Sequence, residues 1–117
     1  LNLKIIILTL INITLLATGQ ILWKIGLKNT ELTLKNVLGL FSSPLILSGL
    51  ILYGVATIVW FKILSIGKLS VVYPLQSISY AIVIILAWII FKEEVTLTRW
   101  IGCVVILIGI YLISMEK

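Results

Sequence analysis

The chain has 117 residues, 62% of them hydrophobic and only 11% charged, well below the roughly 25% charged residues of a soluble domain. A soluble core of this size cannot hide that much apolar surface, so the solvent for most of the chain is lipid. The net charge of +5 comes from cations at the ends of apolar runs rather than from a basic stripe that tracks phosphates, which excludes nucleic acid as a partner.

The first apolar run, Ile5 to Trp23, lies between Lys4 and Lys24 and is about 28 Å long as a helix. It exceeds the usual h-region of a signal peptide and three more runs follow, so it reads as a membrane span. At 100° per residue Thr9, Asn12, Gly19, Gln20 and Lys24 share one broad face. Amides in hydrocarbon need partners, so this face turns inward. It serves either as a hydrogen-bonding wall of a substrate chamber, with Lys24 at its mouth, or as interhelical glue.

Residues 28–43 are the only sizeable polar connection. Leu34, Val37, Leu38 and Phe41 recur at helical spacing, which suits either a short interfacial helix over residues 32–41, capped by Thr30 or Thr33, or an ordered loop. The second span opens on Pro44, a good first-turn residue. It carries Lys62 near its end, where a long side chain snorkels to the headgroups. Tyr53, Thr57 and Trp60 align along it at spacings of 4 and 3. That alignment reads first as packing, with Tyr53 retained as a candidate for the chamber. Gly49 and Gly54 make no GxxxG pair.

The turn at Gly67-Lys68 is so short that the second and third spans are antiparallel neighbours. The third run opens on Tyr73-Pro74 and ends at Lys92-Glu93-Glu94. Tyr73, Gln76, Ser77 and Tyr80 share one face of it. Two phenols and an amide on one wall suit a sugar ring, an organic cation or a polar lipid headgroup. The fourth run, Trp100 to Met115, is about 24 Å long and spans with help from Arg99 and Lys117. Gly102 and Gly109, a heptad apart on one face, form a candidate dimer seam.

The expectation is an all-α membrane protein of four transmembrane helices over residues 5–25, 44–66, 70–91 and 98–115, forming one domain. Histidine is absent and the single cysteine, Cys103, lies inside the fourth run. With almost no acid within the spans, metal, cofactor and catalytic chemistry are not expected, and neither is an enzyme. Lys4, Lys62, Lys68 and Lys117 flank one membrane side; Lys24, Lys28, Lys35, Lys92 and Arg99 flank the other. So small a difference favours neither insertion, which admits dual topology and an antiparallel dimer of identical chains.

Taken together, the segments Ala17 to Lys24 (ATGQILWK), Leu69 to Val83 (LSVVYPLQSISYAIV) and Phe91 to Gly102 (FKEEVTLTRWIG), with the glycine pair Gly102 and Gly109, resemble the four-helix members of the drug/metabolite transporter superfamily. The later segments look like the EamA-type repeat, and the glycine spacing resembles the dimer helix of small multidrug resistance exporters. The resemblance implies an antiparallel or pseudo-symmetric dimer, of the chain with itself or a paralogue, in a bacterial inner membrane. It also implies a chamber between the first three spans, worked by alternating access. Where the proton-coupled exporters carry a glutamate, eight residues before the lysine that matches Lys24, this chain has Leu16. The pattern around Gln20 looks instead like small flippase subunits that move polyprenyl-phosphate-linked sugars. For such a lipid-linked cargo, the resemblance implies amides and phenols on the sugar and Lys24 or Lys62 on the phosphate. A small multidrug resistance-type exporter of organic cations or metabolites and a non-transporting accessory subunit are the alternatives.

Overall fold

The computed structural model describes residues 3–28 and 33–115. Its helices are α1 (Leu3–Leu27), α2 (Val37–Leu40), α3 (Pro44–Ile66), α4 (Leu69–Leu75), α5 (Ile78–Ile90) and α6 (Leu97–Met115), with no strand among the described residues. Four stretches are long and apolar enough to cross a membrane: Leu3–Leu27, Pro44–Ile66, Leu69–Ile90 and Leu97–Met115. The chain is therefore an all-helical, multi-pass membrane protein. Large apolar side chains such as Ile51, Ile58, Val105 and Leu112 point outward, as they do where lipid replaces water around a bundle.

Between the first two spans, Thr33 Oγ1 accepts from the Asn36 N–H at 3.3 Å, and the helix that follows is the single turn of α2. The cap considered at Thr30 and the flanking Lys117 lie outside the described residues. Pro44 occupies the first turn of α3, where its missing N–H costs no bond. Gly67 ends that helix by donating to Ile63 O at 2.9 Å. A side chain at Gly67 would meet Val72 Cγ1, so this glycine lets the turn fold tightly onto α4. Beyond α5, Lys92 takes a left-handed φ of 54° and the Glu93 N–H returns to Ala87 O at 3.3 Å. The left-handed residue that closes this helix is a lysine instead of the usual glycine.

The tightest pair is antiparallel α1 and α3, and small residues set its approach. A Cβ on Gly19 would stand 3.1 Å from Tyr53 Cδ2, and one on Gly49 would overlap the Trp23 indole. The close approach uses one glycine from each helix, which a search for GxxxG within one helix does not detect. At the end where α1 starts and α3 finishes, Ile5, Ile63, Val72, Leu75 and Ile110 form a buried cluster. It ties α1, α3, α4 and α6 together and leaves the opposite half of the α1–α3–α5 groove unfilled.

The third span is not one regular helix. Pro74 lacks the N–H that would continue the α-helical ladder, and the backbone tightens after it. Gln76 N–H donates to Tyr73 O, Ser77 N–H to Pro74 O, Ser79 N–H to Gln76 O and Tyr80 N–H to Ser77 O, at 2.9–3.1 Å. These are i to i+3 bonds, so side chains three apart eclipse locally.

Candidate functional site

A cavity of about 750 Å³ lies between α1, α3 and the α4–α5 span. From α1 it takes Asn12, Leu16 and Gln20; from α3, Tyr53, Ala56, Thr57 and Trp60. Tyr73, Gln76, Ser79, Tyr80, Val83 and Ile84 complete the wall from the broken span. Helix α6 contributes nothing to it. The lining has amides, hydroxyls and aromatic rings but no carboxylate, and Leu16 occupies the α1 position where the resemblance made an acid the point of comparison.

Asn12 holds the three walls together. It is 1% exposed, donates through Nδ2 to Ala56 O at 2.7 Å and accepts at Oδ1 from Gln76 Nε2 at 2.8 Å. A buried amide in this setting is tolerated because both ends are satisfied. Thr9, one turn earlier, is also buried, and its Oγ1 has no hydrogen-bond partner among the described residues.

Towards the C-terminal end of α1, Gln20 Nε2 donates to the Tyr53 hydroxyl at 2.6 Å. The Tyr53 ring stacks on Trp23, centroids 4.5 Å apart. Trp23 is fixed in turn by donating Nε1 to Ile46 O at 3.1 Å. On the other side Trp60 meets Tyr73 edge to face at 6.0 Å. Tyr53, Trp60 and Tyr73 are thus each oriented by a second ring, and Tyr53 by an amide as well.

Of the residues expected to bind substrate, Asn12, Gln20, Tyr53, Tyr73, Gln76 and Tyr80 share this cavity. Three do not. Ser77 is displaced from the wall because the tightened turn after Pro74 aligns Tyr73, Gln76 and Ser79, and Ser79 takes its place, donating to Gln76 O at 2.7 Å. Lys24 lines a second space of about 580 Å³ with Leu27, Lys28, Phe91 and Glu93, at the far end of α1. Lys62 is exposed on the last turns of α3 and lines neither cavity. Thr57 and Trp60, first read as packing, do face the cavity; their alignment with Tyr53 was the available signal. Gly102 and Gly109 sit on α6 with nothing within 4 Å of a would-be side chain.

A family model described as the EamA-like transporter family matches residues 2–115. The chain is 33% identical over 114 residues to a protein of Yersinia enterocolitica named as the probable 4-amino-4-deoxy-L-arabinose-phosphoundecaprenol flippase subunit ArnF, the alignment covering 88% of each chain. It is similar also to subunits named ArnE of the same flippase. With that of Pseudomonas fluorescens it shares 27% identity over 94% of this chain and 96% of the relative. With that of Proteus mirabilis it shares 32% identity over 62% of this chain and 64% of the relative, slightly under two thirds of that protein's length. No solved structure gives a significant match. With four apolar helices of spanning length and a match over nearly its whole extent, the chain belongs to the EamA-like transporter family.

Proposed function

We infer that the chain is a subunit of a bacterial inner-membrane flippase that carries a polyprenyl-phosphate-linked sugar by alternating access. The observation that carries this reading is a neutral chamber of amides and aromatic rings, open at one side, in a transporter whose relatives are named for such a cargo. The amides and phenols hold the sugar hydroxyls, the ring faces stack on its apolar face, and the prenyl tail stays in the bilayer. In this reading the phosphate is met by Lys24 and Lys28, which line the second cavity together with Glu93. With Leu16 in the wall, cargo binding is not an exchange of a cation for protons at a carboxylate. Movement is driven instead by consumption of the cargo on the far side.

A second chain completes the device, either another copy or a paralogue. Tyr73 and Tyr80 line the cavity yet remain 62% and 65% exposed, so one chain leaves the outer wall unbuilt. The open backbone at Gly102 and Gly109 offers α6 as the seam.

Reconstitution in sealed vesicles tests both parts. The chain, with its paralogue where one is needed, is expected to equilibrate a fluorescent polyprenyl-phosphate sugar between leaflets. Gln76→Ala with Tyr80→Ala should slow it on the order of tenfold or more, by removing a hydrogen bond and a stacking ring. Gly102→Leu with Gly109→Leu should retain helix content while losing both dimer and transport. Proton-coupled uptake of quaternary cations with no lipid movement would replace this reading with that of an exporter.

A further inference from the structure

One backbone carbonyl fixes the direction of two amides in the chamber. Ala56 O can only accept, so the Asn12 side-chain atom 2.7 Å from it is the amide nitrogen. The other end of Asn12 is then a carbonyl oxygen, so the Gln76 atom 2.8 Å away is also an amide nitrogen. Gln76 is thereby fixed with its Oε1 on the remaining side. That oxygen takes no hydrogen bond from any described residue, and Gln76 lines the cavity. Gln20 is different. Its partner is the Tyr53 hydroxyl, which both donates and accepts, so that pair works with the amide in either orientation.

From this asymmetry we propose that the Asn12–Gln76 relay makes the chamber a selector for a hydrogen-bond donor on the cargo headgroup, a hydroxyl or an amine received by Gln76 Oε1. Asn12 is the positioning residue, and Gln76 is the residue that touches cargo. Opposite Gln76 Oε1 an acceptor-only group, such as an ether or a ketone, gains no hydrogen bond, because that oxygen cannot turn away. Turning Gln76 over would set its oxygen against Asn12 Oδ1, and turning Asn12 as well would set oxygen against Ala56 O. The Gln20–Tyr53 pair accepts either kind of group and supplies affinity without this choice. The assignment rests on the cavity being the cargo chamber.

The test uses the full chain in lipid nanodiscs and water-soluble butyl pyranosides as probes, with binding followed by intrinsic tryptophan fluorescence. At each ring position in turn the probe carries a hydroxyl, an amine, a hydrogen or a methoxy group. At one position the hydroxyl and amine forms are expected to bind on the order of tenfold tighter than the other two, as for a buried acceptor left unpaired. In Asn12→Leu, with Gln76 released, the donor-to-methoxy ratio should fall towards one, whereas loosened packing alone weakens all four probes alike. Because loss of a buried amide can prevent folding, Gln76→Met provides the second variant, expected to lose the donor preference while retaining helix content.

Equal binding of hydroxyl and methoxy forms at every position, or no probe binding at all, overturns the proposal. So does an unchanged ratio in folded Asn12→Leu. Discrimination without lipid movement in vesicles would refute the flippase reading alone, and lipid movement without discrimination would refute this inference alone.

Discussion

Gly49→Leu is expected to destabilise the chain by roughly 3–5 kcal/mol, combining overpacking with the loss of one hydrogen bond and one ring stack. Even a Cβ at this position overlaps the Trp23 indole. That ring cannot step aside cheaply, because it is bonded to Ile46 O and stacked on Tyr53. Once Trp23 moves, Tyr53 loses its support and the Gln20–Tyr53 hydrogen bond loses its geometry. The stability loss should therefore be accompanied by weaker probe binding in the cavity. Gly54→Leu, one turn further along α3, is the control: nothing lies within 4 Å of its added carbon. It should change stability by no more than about 1 kcal/mol, in the direction of better helix propensity. Unfolding in sodium dodecyl sulfate followed by circular dichroism measures both, and equal losses would mean that the glycine contact does not govern the α1–α3 approach.

Leu16→Glu is the substitution expected to change what the chamber binds. Leu16 lies in the cavity wall beside Asn12 and Gln20, facing an aromatic lining with no acid of its own. A carboxylate there costs about 2.5–3.5 kcal/mol at a helix centre, and it gives the cavity the counter-ion it lacks. Binding of a quaternary cation such as tetraphenylphosphonium should then appear or strengthen by at least tenfold, since a close unlike charge in such a site contributes more than a kcal/mol. Protons compete for the same oxygens, so the gained affinity should weaken as pH falls. The unsubstituted chain has no carboxylate or histidine in the lining, so its binding of the uncharged hydroxyl probe should stay flat between about pH 5.5 and 8.5. Strong, pH-dependent cation binding by the unsubstituted chain would show that coupling runs through some other group.

The bilayer architecture was legible because each span is a long uncharged run with cations at its ends, and no soluble alternative buries that much apolar surface. Much of the cavity wall was legible for a similar reason: polar side chains at helical spacing in lipid must face protein, which put Asn12, Gln20, Gln76 and Tyr80 inward. A spacing of 100° per residue does not hold across Pro74, where the chain tightens and brings Ser79 to the wall instead of Ser77. Lys24 is expected at the chamber mouth from the face it shares with Asn12 and Gln20, and Lys62 enters only through the resemblance, as a contact for the phosphate. Their actual positions depend on how far each helix end extends past the cavity, which spacing within one helix does not contain. The α1–α3 contact leaves no mark within either helix's sequence, because its glycines, Gly19 and Gly49, lie on different helices. The direction of the Gln76 amide was out of reach as well, since it follows from a main-chain carbonyl on another span.

The cavity between α1, α3 and the broken third span is where the cargo headgroup is expected to sit. A polyprenyl-phosphate sugar bearing a photoreactive diazirine on the sugar ring, irradiated in vesicles with the chain and mapped by mass spectrometry, tests it most directly. The expected adducts fall on Trp60, Tyr73, Gln76 and Tyr80, and excess unlabelled lipid removes them. Adducts confined to the lipid-facing side of α6, or insensitive to that competition, would mean that the headgroup does not occupy this cavity.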